Sequence, residues 1–231
     1  ARADDEAAVA RIFAAKGRPS LNPLIVHVPD LEAAERLVEI DDRARLLAER
    51  FWPGPLTLVL PRRPDALVAS KIHAGLPTLA IRCPEHPAMR AVLAAVNVPL
   101  AAPSANARET VGPTSVGRVL ATRDGRIDAV LDGGPTERGL ESTIVALRDR
   151  YGWSLLREGP VTREMLEPLL GVETAGEKMI EAPGQMARHY APGKPMRLDA
   201  DQAGLDQFLI GFGMIEGDVT LSRSGDLEEA A

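Results

Sequence analysis

Several short stretches of this chain set cations and hydrogen-bonding side chains at the ends of apolar runs, where open α/β sheets bind their ligands. In "KGRPSLNPLIVHV", residues 16 to 28, Lys16 offers a point charge and Arg18 a fork of donors suited to phosphate oxygens, with Asn22 beside them. His27 interrupts the β-branched run that follows. In "AAPSAN" (101–106), small residues let a ligand approach the backbone while Ser104 and Asn106 offer hydrogen bonds. Arg82 ends "TLAIR", placed to meet a carboxylate with two parallel bonds. "GLESTIV" (139–145) brings Glu141, Ser142 and Thr143 to a strand start, and "LREG" (156–159) sets Arg157 before a glycine turn. Finally, "APGQMARHYAP" (182–192) puts Arg188, His189 and Tyr190 in a Pro/Gly-rich segment that needs only solubility, which suggests that it folds back onto something. The chemistry this set could perform is the holding of a polyanion beside a smaller polar molecule.

Each stretch also has an ordinary explanation. Lys16 and Arg18 suit the C-terminus of any helix through its dipole. A lone strand histidine such as His27 is a common core residue, Pro-Ser-Asn is common turn chemistry, and Arg82 could make a surface salt bridge. No phosphate-binding G-x-x-x-x-G-K-[ST] loop, G-x-G-x-x-G turn, G-x-S-x-G elbow or H-E-x-x-H helix occurs. The four histidines (27, 73, 86, 189) are too scattered for a metal site.

The elements that must carry these residues alternate along the chain. Asp4 and Asp5 open a helix with Val9, Ile12 and Phe13 on one face. "PLIVHV" is a buried-type strand, residues 30–50 one or two amphipathic helices with Asp30 as N-cap, and "PLTLVLP" a strand. "DALVASKI" then reads as a helix, "TLAIRC" as a strand, "HPAMRAVLAAV" as a helix, and "VPLAAPSAN" as a strand entering a loop. "TSVGRVLATR" is a helix with Thr114 near its cap, and "DAVLDGG" a strand. "ESTIVAL" and "WSLLRE" form an antiparallel pair across a polar turn, and "TREMLEPLLG" is a helix stopped by Gly171. Alternation of this kind predicts an α/β fold with a mixed sheet. From about 172 to 195 periodicity fades into a linker, after which a second unit begins.

Composition bounds the rest. A net charge of −6 and 3% aromatic residues argue against a general nucleic-acid binder or a base-stacking platform. Only four of the 27 basic residues are lysines, so arginine is common and counts only where its neighbours single it out. Cys83, the one cysteine, precludes an internal disulfide and reads as a core residue. The sequence has no apolar stretch of spanning length and no signal peptide, and a cytoplasmic location is expected. The opening "ARADDEAAVARIFAAK" lacks an initiator methionine, and a preceding segment is expected.

Taken in order, KxRPxxxPLIxH, PGPLT, AxR, APSAN, PTS, LESTIV, LREG and PGxxxRHYAP resemble the YrdC-like family of threonylcarbamoyl-AMP synthases, and more narrowly its long two-domain form. The resemblance implies a YrdC-like twisted mixed sheet with flanking helices and a concave cleft over residues 1–171. It further implies a linker over 172–195 that folds across the site, and the start of a Rossmann-like α/β C-terminal domain over 196–231. It implies synthesis of threonylcarbamoyl-AMP and pyrophosphate from L-threonine, bicarbonate and ATP, with Mg2+ on the phosphates. The product would pass to a threonylcarbamoyl transferase complex that modifies position 37 of tRNA. By the same resemblance Lys16 and Arg18 are the catalytic cations. ATP is met by Lys16, Arg18, Asn22, Ser104, Asn106, Thr114, Arg157, Arg188, His189 and Tyr190, and threonine by His27, Arg82 and Ser142. Two departures stand out. The family's opening Pro-Thr-Glu-Thr-Val-Tyr-Gly-Leu type segment does not occur before Asp4, and its Ser-Pro-Thr becomes Gly112-Pro113-Thr114. The alternatives are a carbamoyl-adenylate-forming enzyme of hydrogenase maturation, which a single cysteine argues against, and a non-catalytic RNA-binding module.

Overall fold

Asp5 starts helix α1 (Glu6–Lys16): its carboxylate accepts the Ala8 amide at 2.9 Å, and Val9 and Phe13 are buried as their spacing predicts. Gly17 ends the helix at φ 59°, a left-handed turn that costs least without a Cβ. These features come from a computed structural model that describes residues 1–17, 21–106, 112–136, 139–148, 152–174, 180–183, 185 and 194–230. Arg18, Arg188, His189 and Tyr190 lie outside the described residues.

Six strands form one sheet: β1 (Ile25–His27), β2 (Leu56–Pro61), β3 (Thr78–Arg82), β4 (Leu100–Ala101), β5 (Thr143–Leu147) and β6 (Trp153–Arg157), in the order β4-β1-β3-β2-β5-β6. β1 runs parallel to β3 and β2 to β5, while the β4–β1, β3–β2 and β5–β6 pairs are antiparallel. The sheet is mixed, as the short turn between the last two strands predicts. Arg43 braces that turn from outside, donating to the carbonyls of Arg148 and Gly152 at 2.9 and 3.0 Å.

The two sheet faces have different chemistry. Val26, Leu56, Leu58, Leu60, Leu79, Ile81, Val145 and Leu147 point into the main core, with Val9 and Phe13 of α1. Ala34 of α2 (Leu31–Glu35), Ala44 and Leu47 of α3 (Asp42–Phe51), and Leu166 of α7 (Arg163–Leu170) join them. This large-side-chain face supplies most of the apolar burial that holds the domain. The alternate residues of the same strands form a smaller cluster of Ile25, Val59, Ala80, Ile144 and Ala146, closed by Ala182 from the linker. Cys83 sits in the core region with its thiol donating to the Pro29 carbonyl at 3.1 Å, and burial pushes the thiol pKa up.

Residues 30–50 contain two helices, and both are capped by aspartate side chains, Asp30 and Asp41. α5 (Pro87–Val96) and α6 (Val116–Arg123) match their sequence patterns, with Ser115 at the cap of α6 and Thr114 next to it. The "DALVASKI" stretch is helical only at its end, as α4 (Ser70–His73). "DAVLDGG" is not a strand: Asp132 accepts the Gly134 amide at 2.9 Å and Gly134 lies at φ 86°, so turn chemistry overrides its apolar residues. Beyond the linker, β7 (Ile210–Gly211) and β8 (Val219–Thr220) pair in parallel, followed by α8 (Leu227–Ala230).

Candidate active site

The strand registers build one polar row across the smaller face. His27 stands beside Arg82 in the parallel β1–β3 pair. One step beyond the Leu58–Ile81 pair, Thr57 is level with Arg82, and in the next ladder Thr57 pairs with Ile144. A register shift between Ile144 and Val145 sets Arg157 opposite Ile144. Bulges of this kind re-aim a side chain; this one brings Arg157 to the same face as Leu156. His27, Arg82, Thr57 and Arg157 therefore line one row, roughly 19 Å long at about 4.8 Å per strand.

At one end of the row, His27 is only 8% exposed and its Nδ1 has no hydrogen-bond partner among the described residues. Burial first, and the Arg82 guanidinium second, push its pKa down to about 4, so at neutral pH it is an uncharged imidazole. The Arg82 Nε donates to the Gly54 carbonyl at 2.9 Å, which aims the guanidinium from the end of β3.

At the other end Ser142 is shared. Its Oγ lies 2.8 Å from the Thr57 hydroxyl and accepts from an Arg157 Nη at 2.9 Å, while Arg157 Nε donates to the Ser142 carbonyl at 2.9 Å. The other Arg157 Nη binds the Glu141 carboxylate. Gly159 allows this packing, because a Cβ there would meet the Thr143 amide nitrogen at 2.5 Å and the Glu141 carbonyl oxygen at 2.6 Å. The next strand residue, Thr143, is buried and exchanges hydrogen bonds with both backbone groups of Val161.

A second cluster gathers beside β4. The Lys16 ammonium donates to the Ser104 carbonyl and reaches the Asn106 Oδ1 at 3.3 Å, and the Ser104 hydroxyl donates to the same Oδ1 at 2.6 Å. Lys16, Ser104 and Asn106 come together although some 90 residues separate them. Asn22 lies just before β1, half-buried. Thr114 is not joined to this cluster by any hydrogen bond among the described residues; its carbonyl accepts the Thr136 amide at 3.0 Å.

Described residues after α7 touch both the edge and the smaller face of the sheet. Glu173 and Thr174 satisfy backbone groups of the edge strand β6: Leu155 donates to Glu173 at 2.6 Å, and Trp153 bonds Thr174. Farther on, Glu181 receives both ends of the Arg148 guanidinium at 2.5 Å, and Ala182 is fully buried against Ile25, Val59, Ala80, Ile144 and Ala146. The Gln185 side-chain oxygen accepts the amides of Glu181 and Ala182 at 2.7 and 2.9 Å. Glu181, Ala182 and Gln185 thus form a short strap against the face that carries the polar row.

Residues missed by sequence reasoning include Thr57 and Arg123. Thr57 lies within the "PGPLT" signature, where the threonine among apolar neighbours was a usable signal. Arg123 had none, being one arginine among many. Its guanidinium donates to the carbonyls of Ala15, Ala105 and Asn106.

Residues 1–159 match the Sua5/YciO/YrdC family model, described as "Telomere recombination". The chain belongs to this family. The adjoining residues 161–223 match the model described as "Threonylcarbamoyl-AMP synthase, C-terminal domain". Among Sua5/YciO/YrdC proteins, the chain is 43% identical over 206 residues to a threonylcarbamoyl-AMP synthase of Bacillus subtilis, covering 86% of this chain and 59% of that protein. It is likewise 43% identical over 207 residues to the threonylcarbamoyl-AMP synthase of Pyrococcus abyssi, covering 83% and 58%. The crystal structure of P. abyssi Sua5 complexed with L-threonine superposes with a TM-score of 0.77 at 42% identity, over 83% of this chain and 58% of that one. Escherichia coli YciO, at 21% identity and a TM-score of 0.58 over 69% of this chain and 76% of that one, shares the fold. The chain thus spans a little over half the length of these synthase relatives.

Proposed function

We propose that this protein is an L-threonylcarbamoyladenylate synthase, a nucleotidyltransferase that makes threonylcarbamoyl-AMP and pyrophosphate from L-threonine, bicarbonate and ATP. The observation that carries this reading is the likeness to Sua5 bound to L-threonine, at 42% identity and a TM-score of 0.77. Residues 1–171 form the synthase domain, 172–195 the linker over the site, and 196–231 the start of a Rossmann-like C-terminal domain.

The threonine amine captures carbon dioxide from bicarbonate as a carbamate. A carbamate oxygen attacks the α-phosphorus of ATP, the bond to the bridging oxygen breaks, and pyrophosphate leaves. Such chemistry asks the protein for positioning and charge neutralisation rather than for a nucleophile. His27, Arg82 and Ser142 hold threonine, with Arg82 suited to its carboxylate. His27 stays neutral at working pH and so adds no charge beside Arg82. Lys16, Arg18 and Asn22 hold the phosphates, with Lys16 and Arg18 as the catalytic cations, and Ser104 and Asn106 stand between the two ligands. Thr114 and Arg157 complete the ATP side. The bond from Arg157 to Ser142 supports a direct mechanical link between the ATP and threonine subsites. Arg188, His189 and Tyr190 are assigned to ATP by the family signature alone.

Magnesium enters with ATP. Among the described residues no group of three or more His, Cys, Asp or Glu could cage it, so they do not fit a protein-held ion and no step is assigned to one. The product passes to a threonylcarbamoyl transferase complex acting on position 37 of tRNA. No helix among the described residues is long and apolar enough to cross a membrane; a cytoplasmic location is part of this proposal.

The deciding experiment measures pyrophosphate release with ATP and magnesium, omitting threonine or bicarbonate in turn. Release that needs both, with the adenylate seen by mass spectrometry, is the expected result. Release that ignores threonine and responds to carbamoyl phosphate would replace the reading with a carbamoyl-adenylate enzyme. Salt-sensitive RNA binding without turnover would replace it with a binding module.

A further inference from the structure

Arg123, the last residue of α6, is 4% exposed and is not itself among the residues assigned to the pocket. Its three nitrogens each reach a different carbonyl: Nη1 to Ala15 at 2.6 Å, Nε to Ala105 at 3.3 Å, and Nη2 to Asn106. Ala15 immediately precedes Lys16, and Ala105 lies between Ser104 and Asn106. One side chain therefore spans the two segments whose own side chains meet as Lys16, Ser104 and Asn106. No carboxylate is paired with Arg123 among the described residues. Burial, and then the nearby Arg126, hold its pKa below the ordinary arginine value. An arginine remains charged at neutral pH even so.

The architecture explains why such a brace is needed. The last carbonyls of a helix lack partners inside it, and Ala15 is in the last turn of α1. The 104–106 segment is a loop whose carbonyls have left the ladder of β4. A planar fork with fixed donor directions can satisfy several such acceptors at once, and its rigidity carries over to the backbone it holds. A lysine could supply the charge but not the geometry.

We infer that Arg123 is a positioning residue for nucleotide binding, clamping the C-terminus of α1 to the 104–106 loop so that Lys16, Ser104 and Asn106 are held in place before the phosphates arrive. The inference rests on the ATP assignment proposed above. It goes beyond it in giving the phosphate side a support outside the pocket, whose loss separates the two substrates. Among the described residues no hydrogen bond joins Arg123 to His27, Arg82 or Ser142, the residues assigned to threonine, so its loss weighs more on ATP than on threonine.

The test uses Arg123→Met, which keeps an apolar stem and removes the fork, and Arg123→Lys, which keeps the charge. Hydrogen exchange is read by mass spectrometry without ligand on peptides covering residues 12–17 and 104–106. Steady-state pyrophosphate release gives KM for each substrate. The expected result is faster exchange confined to those two segments, with KM for ATP raised about tenfold. KM for threonine stays within about twofold, and Arg123→Lys lies much closer to Met than to wild type because the fork is what matters. Unchanged exchange in both segments overturns the clamp. A fall in kcat with both KM values unchanged also overturns the positioning role, since loss of folded protein would produce that pattern. Should Arg123→Met not fold, Arg123→Lys is read by the same criteria. If the wild-type protein releases no pyrophosphate, the proposed function fails, and the exchange contrast still decides the clamp.

Discussion

His27 shows how much a single side chain depends on its surroundings. Its folded pKa is about 4 against an ordinary 6.5, because burial and Arg82 both oppose a positive charge. The unfolded chain therefore gains this proton first as pH falls. The neutral imidazole leaves stability untouched above pH 6.5, and destabilisation grows from there down to about pH 4, reaching about 3 kcal/mol. Urea unfolding at a series of pH values, for wild type and His27→Gln, checks this: the stability difference between them should shift in favour of the variant across that window. A difference independent of pH would contradict the assignment. Arg157 makes the complementary point. Truncation to Ala removes donors to Ser142 and Glu141 and leaves both without them in a largely buried site, so a loss of about 2–4 kcal/mol is expected by urea unfolding. Both residues were visible in the sequence as polar interruptions at strand ends. Their pairings were not, since His27 and Arg82 are level with one another only through the parallel register of β1 and β3, and Arg157 meets Ser142 only once β5 and β6 pair.

At the scale of elements, the turn after β6 and the strap are the places where small changes matter. Gly159 has no room for a methyl group between Thr143 and Glu141, so Gly159→Ala must displace backbone. Overpacking of this kind costs about 1–3 kcal/mol. It should also lower pyrophosphate release at saturating substrate, because Arg157 lies two residues away on the same turn. The strap depends on fewer contacts. Glu181→Gln weakens its bidentate bond to Arg148, leaving Ala182 and Gln185 to hold it. Limited proteolysis should then cut within 175–195 faster than in wild type, with the sheet domain left intact; equal cutting rates would show that Ala182 alone secures the strap. The helix starts at Asp5 and Asp30 were legible here because both aspartates cap by local chemistry. Asp41 was not singled out in sequence, since two helices and one look alike in an amphipathic run. "DAVLDGG" read as a strand from its apolar residues, whereas the Asp132–Gly134 turn decides its conformation.

Across the whole molecule, the sheet separates support from chemistry. One face carries the leucine-rich core against the helices, and the other carries small residues, the strap and the polar row. A period of two along each strand makes this possible, because neighbouring residues serve opposite faces. The alternation of strands and helices, the mixed sheet and the family were all contained in the sequence, because periodicity, capping and ordered signature residues are local properties that survive without a fold. Lys16, Ser104, Asn106, His27, Arg82, Ser142 and Arg157, which the structure gathers into two polar clusters, were each singled out in the sequence. Their grouping was not. That Lys16 meets a loop some 90 residues away, that Ser142 binds Arg157 and Thr57, and that Arg123 clamps two distant segments follow from strand order, register and one bulge. These are non-local pairings, chosen by the packing of the entire sheet and written in no single stretch of residues.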